Sequence, residues 1–343
     1  MWAYILRRLV QAIITLFIIT IVCFILTRLS SDPMAQYANR PGLTPEDKAR
    51  IRHQLGLDRT IPVEWIHWMG LSPETEKKIV DNSSLPIQYF SWLGLALKGE
   101  LGTSFFSKQP VSQLIAERLP LTLLLMATAQ TITVFIALGL GIVSATKQYS
   151  LTDNIITSLS FIGYSMPIFF IALGLMLIFA VRFKAWGLPY LPTGADVWNR
   201  RDVTELIRHM VLPVSCLVII QTAGYARYIR SSILEVLSLD YIRTARAKGL
   251  TERSVLYKHA LRNAALPFIT ILGLDIPYLL GGALVTESVY AWPGMGRLFW
   301  EYAQRGDYPV VLGVLLIVSA AVVVFSILTD IMYIFIDPRI RLG

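Results

Sequence analysis

Asp275 stands near the middle of a long apolar run, beside Gly273 and Pro277. A charge at that depth of a bilayer costs at least about 2.5–3.5 kcal/mol on insertion scales, so its side chain must face protein or water. Two chemistries fit. The carboxylate can line a pathway and meet a cationic group, or it can be protonated or paired with a neighbouring helix. Gln130 and Gln221 lie in two other apolar runs and fit the same alternatives, as pathway groups or as interhelical hydrogen bonds. Glu287 and Arg297 bracket a Trp292-Pro293-Gly294 turn after the fifth apolar segment, a segment expected to act as an outer gate or a docking surface.

Other chemistries lack their residues. Cys23 and Cys216 both fall inside apolar segments, and His53, His67, His209 and His259 are scattered without metal-ligand spacing. The chain has no Gly-x-x-x-x-Gly-Lys-Ser/Thr stretch. Without that phosphate cradle it is not expected to hydrolyse ATP. The expectation is no catalytic residue, no metal and no cofactor in this chain.

The elements that position these groups follow from composition. Of 343 residues, 55% are hydrophobic and 16% charged, against about 25% charged in soluble domains. Six stretches, near 9–28, 119–145, 155–181, 207–226, 265–286 and 309–336, reach the roughly 20 residues that span a bilayer. The fold class expected is an all-α integral membrane protein with six transmembrane helices. Pro213 and Gln221 interrupt the fourth stretch, and Pro167 and Pro277 should kink the third and fifth. Gly139, Gly141, Gly163, Gly174, Gly273, Gly281 and Gly282 allow close helix approach in lipid.

Charge orients the spans. Between the fourth and fifth segments, residues 227–264 hold eight basic residues against three acids, whereas 287–308 hold two against three. Positive loops stay cytoplasmic. Arg7 and Arg8, and Arg339 and Arg341, then put both termini inside. The first segment is long for a signal peptide and lacks a small-residue cleavage site, so it is expected to remain as a helix. Three parts result: 1–29 with the first helix, an extracytoplasmic insertion 30–118, and a core 119–343 with a cytoplasmic loop 227–264. In the insertion, Thr44, Pro45, Glu46 and Asp47 start a short helix that Gly56 stops, and Trp65, Trp68, Tyr89, Phe90 and Trp92 supply aromatic packing.

Residues 238–267 are the most informative loop. Ser238 is expected to cap a helix running to Lys248, Gly249 to end it in the left-handed conformation, and Thr251 to cap a second helix with Glu252 in its first turn. Asn263 and Pro267 mark the passage into the fifth span. Small residues Thr244, Ala245 and Ala247 among Asp240, Arg243, Arg246 and Lys248 would let another protein dock closely. A basic helix meeting only anionic lipid is the alternative.

Asp240 to Gly249, followed by His259-Ala260-Leu261-Arg262-Asn263 and Leu266-Pro267, resembles the "EAA" loop of binding-protein-dependent ABC importer permeases, in the wording of their dipeptide/oligopeptide/nickel branch. Further matches run the length of the chain: Leu55-Gly56-Leu57-Asp58, Gly99 to Ser104, Gly163 to Pro167, Thr286-Glu287, Trp292 to Arg297, Asp307 to Val310 and Asp337-Pro338-Arg339. The first, longer permease subunit carries such an outer insertion. The motif's glutamate is replaced by Arg243, the Gly249-to-Leu266 spacing is longer than in the general superfamily, and residues 66–84 look like additional length.

The resemblance implies a type I ABC importer permease fold in a bacterial inner membrane. It implies half of a translocation pathway for peptides or a peptide-like solute, in which Asp275 could meet a peptide's amino terminus. Implied partners are a second homologous permease, two ABC ATPase subunits that bind ATP and magnesium, and an extracytoplasmic substrate-binding protein, with lipid around and no nucleic acid. Asp240, Arg243, Thr244, Ala245, Arg246, Ala247, Lys248 and Gly249 would form the coupling helix. A secondary transporter or channel without ATPase partners is the alternative, and would call for inverted repeats and broken helices.

Overall fold

The computed structural model describes residues 2–30, 85–194 and 202–336. Among the described residues every extended regular element is a helix. In chain order these are α1 Trp2–Ser30, α2 Leu85–Leu97, α3 Val111–Thr146, α4 Leu151–Ser165 and α5 Ile168–Ala185. There follow α6 Val203–Leu237, α7 Asp240–Ala247, α8 Leu261–Gly282, α9 Leu284–Val289, α10 Met295–Gln304 and α11 Tyr308–Ile336. Among the described residues four runs are long and apolar enough to cross a membrane: α3, α5, α6 and Tyr308–Thr329 of α11. The expected spans 9–28 and 265–286 fall on α1, with an apolar stretch Val10–Ile25, and on α8 with the short α9 that follows it. The expected helix after Thr44, Trp65, Trp68, residues 66–84, Arg339 and Arg341 lie outside the described residues.

The third expected span is two helices rather than one kinked helix. Met166 is extended, with ψ 130°, and Pro167 precedes α5. A proline disfavours helical geometry in the residue before it and cannot donate its own backbone hydrogen bond. By contrast Pro213 sits inside α6 without ending it. The 35 residues of α6 make a rod of about 52 Å, so more than a third extends beyond a hydrocarbon core of about 30 Å.

Two compact units divide the chain: residues 1–5, 120–297 and 321–343 in the first, 6–119 and 298–320 in the second. In the first, Leu125, Ala129 and Leu217 pack with Trp292, and Ala137, Ala226, Ile229 and Ile233 with Phe268. A Cβ on Gly141 would lie 2.6 Å from Ile229 Cγ2, so α3 and α6 touch backbone to side chain there. Close approach of this kind is how helices gain packing energy in lipid. In the second unit Phe24, Tyr89 and Leu312 form a cluster, and the hydroxyls of Thr20 and Tyr89 share a hydrogen bond of 2.8 Å.

Candidate functional site

The 238–267 loop folds as an elbow whose bend is set by Gly249. With φ +76° this residue is left-handed. Its N–H donates to Arg246 O at 2.9 Å, and Leu250 N–H to Ala245 O at 3.4 Å. These are the paired bonds of a Schellman stop, which favours glycine because a Cβ is strained there. Thr251 Oγ1 then accepts from Ser254 N–H, as expected for a cap. Ser238 differs from expectation. Its hydroxyl donates back to Glu235 O at 2.7 Å and ends α6, so α7 starts at Asp240 behind Leu239. The second limb is also different: after Glu252–Ser254 the backbone widens into a π-type stretch, Val255–Ala260, and runs directly into α8. No boundary appears at Asn263; its amide instead donates to Tyr241 OH at 2.7 Å and ties α8 to α7.

Ala245 is turned inward. With Ile242 it packs on Val255 and Ala260, and Val236 and Leu237 at the end of α6 border the same cluster. Its small size therefore lets the two limbs close on each other. Asp240, Arg243, Thr244, Arg246, Ala247, Lys248 and Gly249 are exposed. Arg246 reaches Glu252 across the bend with two hydrogen bonds of 2.9 and 3.2 Å, a solvent-exposed pair that adds little stability.

Two of the intramembrane polar groups, Asp275 and Gln130, meet at the hydroxyl of Tyr225. Tyr225 OH donates to Asp275 Oδ2 at 2.7 Å, and Gln130 Nε2 donates to the same hydroxyl at 3.4 Å. Phe268 holds the Tyr225 ring edge-on at 5.3 Å. Asp275 is half-buried. Gln221 lies one turn before Tyr225 on α6, and the side-chain oxygens of Gln130 and Gln221 are buried with no hydrogen-bond partner among the described residues. A tyrosine in an apolar run reads as an aromatic wall; only the packing of α3, α6 and α8 reveals its hydroxyl as the bridge.

Glu287 is fully buried and organises the segment after α9. Its carboxylate accepts from Thr122 Oγ1 at 2.7 Å and from Arg297 N–H at 3.0 Å, while Thr122 Oγ1 accepts from Met295 N–H at 2.7 Å. Two of the unpaired N–H groups at the start of α10 are thereby satisfied, with negative charge at the helix's positive end. Trp292, 1% exposed, donates from its indole to Leu121 O at 3.2 Å, and the Arg297 guanidinium donates to Ala291 O. A Cβ on Gly294 would collide with the Glu287 carboxylate. Glu287 and Trp292 are thus both buried within this segment.

Comparison with known proteins adds sequence breadth. A family model described as the binding-protein-dependent transport system inner membrane component matches residues 137–342, and one for the N-terminal part of such components matches 1–126. The oligopeptide transport system permease protein AppB of Bacillus subtilis is 39% identical, covering 99% of this chain and 100% of that one. A putative peptide permease protein of Brucella ovis is 40% identical, with 99% of each chain covered. The dipeptide transport system permease protein DppB of Escherichia coli K12 is 34% identical, again with 99% of each covered. A crystal structure of an amino acid ABC transporter aligns with TM-score 0.48 and 18% identity over 66% of this chain and 94% of that one.

Proposed function

From the premise that the chain belongs to the family of binding-protein-dependent transport system inner membrane components, we propose that it is a permease subunit of an ATP-driven importer of peptides or a peptide-like solute. The observation that carries this reading is its full-length similarity, 34–40% identical, to proteins named for peptide, dipeptide and oligopeptide transport. In this reading a second permease completes the pathway, two ABC ATPases supply hydrolysis with their own ATP and magnesium, and an extracytoplasmic binding protein delivers solute. This chain itself catalyses nothing.

The exposed face of α7 gives the ATPases their hold. Asp240, Arg243, Thr244, Arg246, Ala247 and Lys248 offer small and charged groups on a helix whose inner face is locked to the second limb. Such a rigid bracket passes on displacement instead of absorbing it. Its basic charge supports a cytoplasmic position, with both termini on that side. Asp275, Gln130 and Gln221, with Tyr225, contribute polar groups to the pathway. Glu287, Trp292 and Arg297 hold its outer gate.

Co-purification with the second permease, both ATPases and the binding protein tests the function. ATP hydrolysis that rises when the binding protein is loaded with a peptide mixture is the expected result. Peptide uptake by this chain alone in vesicles, driven by an ion gradient without ATP, sinks the importer reading in favour of a secondary transporter.

A further inference from the structure

Asp153, in the first turn of α4, is 2% exposed and gathers donors from every side. Arg230 of α6 reaches it with two prongs, Nε to Oδ1 and Nη2 to Oδ2, each 2.7 Å. Tyr149 N–H donates to Oδ2 at 2.9 Å, the Ser144 hydroxyl at the end of α3 donates to Oδ1, and Thr157 Oγ1 adds a bond of 3.3 Å. Ser150 Oγ caps the N–H of Asp153 itself at 3.2 Å. One carboxylate thus knots the end of α3, the turn 147–150, the start of α4 and the shaft of α6. Arg230, together with the Ser144 and Tyr149 donors, holds that carboxyl well below the usual carboxylate range against the opposing effect of burial.

The neighbourhood leaves the knot little slack. Gly141 abuts Ile229, and the Arg227 guanidinium lies 4.8 Å and 5.2 Å from the ring centroids of Tyr164 and Phe161 on α4. Arg230 stands about two turns from the end of α6. Beyond it, Val236 and Leu237 border the core of the elbow, and Ser232 Oγ donates to Ala264 O at 3.1 Å. A two-pronged arginine–carboxylate pair fixes direction as well as distance, which apolar packing does not. Replacing the whole pair by apolar groups of the same size would cost little stability, because desolvation offsets attraction, whereas removing one partner strands a buried charge. Geometry is therefore what distinguishes it from an apolar contact of the same size.

We propose that the Asp153–Arg230 pair is the joint through which displacement of the 238–267 elbow reaches the α3–α4 turn. This rests on the reading of that elbow as the coupling loop. The two residues are positioning residues that touch neither nucleotide nor solute. They make α6 and the α3–α4 turn move together when the elbow is pulled.

The test uses the full complex with its partner permease, ATPases and binding protein, reconstituted in vesicles and supplied with a tritiated pool of di- to pentapeptides. Peptide taken up and ATP hydrolysed are measured together for wild type, Arg230→Gln, Arg230→Lys and Asp153→Asn. The variants are expected to assemble and hydrolyse ATP but to move about 2- to 30-fold less peptide per ATP, the span that mutations along a coupling route produce. Arg230→Lys should lose least, since it keeps the charge and loses only the fork. A wild-type ratio in assembled Arg230→Gln overturns the proposal. Should Asp153→Asn or Arg230→Gln fail to assemble, Arg230→Lys decides: lowered thermal stability with an unchanged ratio means the pair only supports the fold. Gly249→Pro in the same assay separates the two layers. If it transports normally, the elbow reading fails and the joint with it; if it uncouples while assembled Arg230 variants do not, the joint alone fails.

Discussion

Ser104 donates its hydroxyl to Asp307 Oδ2 at 2.7 Å across 203 positions of sequence. The same oxygen accepts the Phe106 N–H at 2.9 Å. Two short motifs, Gly99 to Ser104 and Asp307 to Val310, are thus two sides of one buried joint. Asp307→Ala leaves both donors without their acceptor, which costs about 1–3 kcal/mol. A lower unfolding temperature in detergent is expected, with a smaller drop for Ser104→Ala, and equal stability of all three proteins contradicts the account.

The elbow makes a conformational demand at Gly249 and a volume demand at Ala245. A side chain at φ +76° costs roughly 1–2 kcal/mol, so Gly249→Ala should weaken the stop, while Gly249→Pro removes the N–H that bonds Arg246 O. Ala245→Phe should force the two limbs apart, since the residue is buried against Val255 and Ala260. Vesicle uptake measured beside ATP hydrolysis is expected to fall more than hydrolysis in all three variants.

Glu287 predicts a tight pair of effects. Glu287→Ala strands Thr122 Oγ1 and the Arg297 N–H and should loosen the start of α10. Gly294→Ala drives a Cβ into the carboxylate, an overpacking change of about 1–3 kcal/mol. If the space is what matters, Gly294→Ala combined with Glu287→Ala is less than additive in thermal stability.

Tyr225 and Asp275 separate a pathway role from a purely structural one. Tyr225→Phe removes the hydroxyl and keeps the ring on Phe268, and Asp275→Asn keeps shape while removing charge. A pathway carboxylate predicts that Asp275→Asn lowers peptide uptake severalfold at unchanged thermal stability, with Tyr225→Phe milder. Wild-type uptake in a stable Asp275→Asn or Asp275→Ala protein removes the pathway role.

Asp153 carries a pH signature. Its carboxyl is held below the ordinary value, so its stabilising contribution is complete above the unfolded value of about 3.9 and is lost as pH falls through the folded one. The difference in thermal stability between wild type and Asp153→Asn should be flat from about pH 5 to pH 8 and narrow below about pH 4. A difference that changes between pH 6 and pH 8 points to another titrating group.

Much of the local structure was readable in the chain. Gly249 as a left-handed stop and Thr251 as a cap depend on backbone sterics and hydrogen bonds that act within a few residues, whereas at Pro167 the same sterics foretold a kink and the chain makes a full break. Ser238 shows the limit. A serine can bond forward to cap the next helix or backward to close the last one, and here the hydroxyl bonds back to Glu235 O. Ala245 shows another: its smallness was legible, but not whether it faced a partner or its own second limb.

The sequence alone determined the solvent of the protein, the positions of its apolar spans, the basic charge of the elbow and, through short motifs in a fixed order, its family. Tertiary structure decided which polar groups meet: Tyr225 with Asp275, Thr122 with Glu287, Arg230 with Asp153. The reason lies in the membrane. A soluble helix advertises its buried face by a polar opposite face, whereas a helix in lipid is apolar all round. Periodicity then no longer tells which side turns inward, and a tyrosine, threonine or aspartate shows its partner only when the helices have packed.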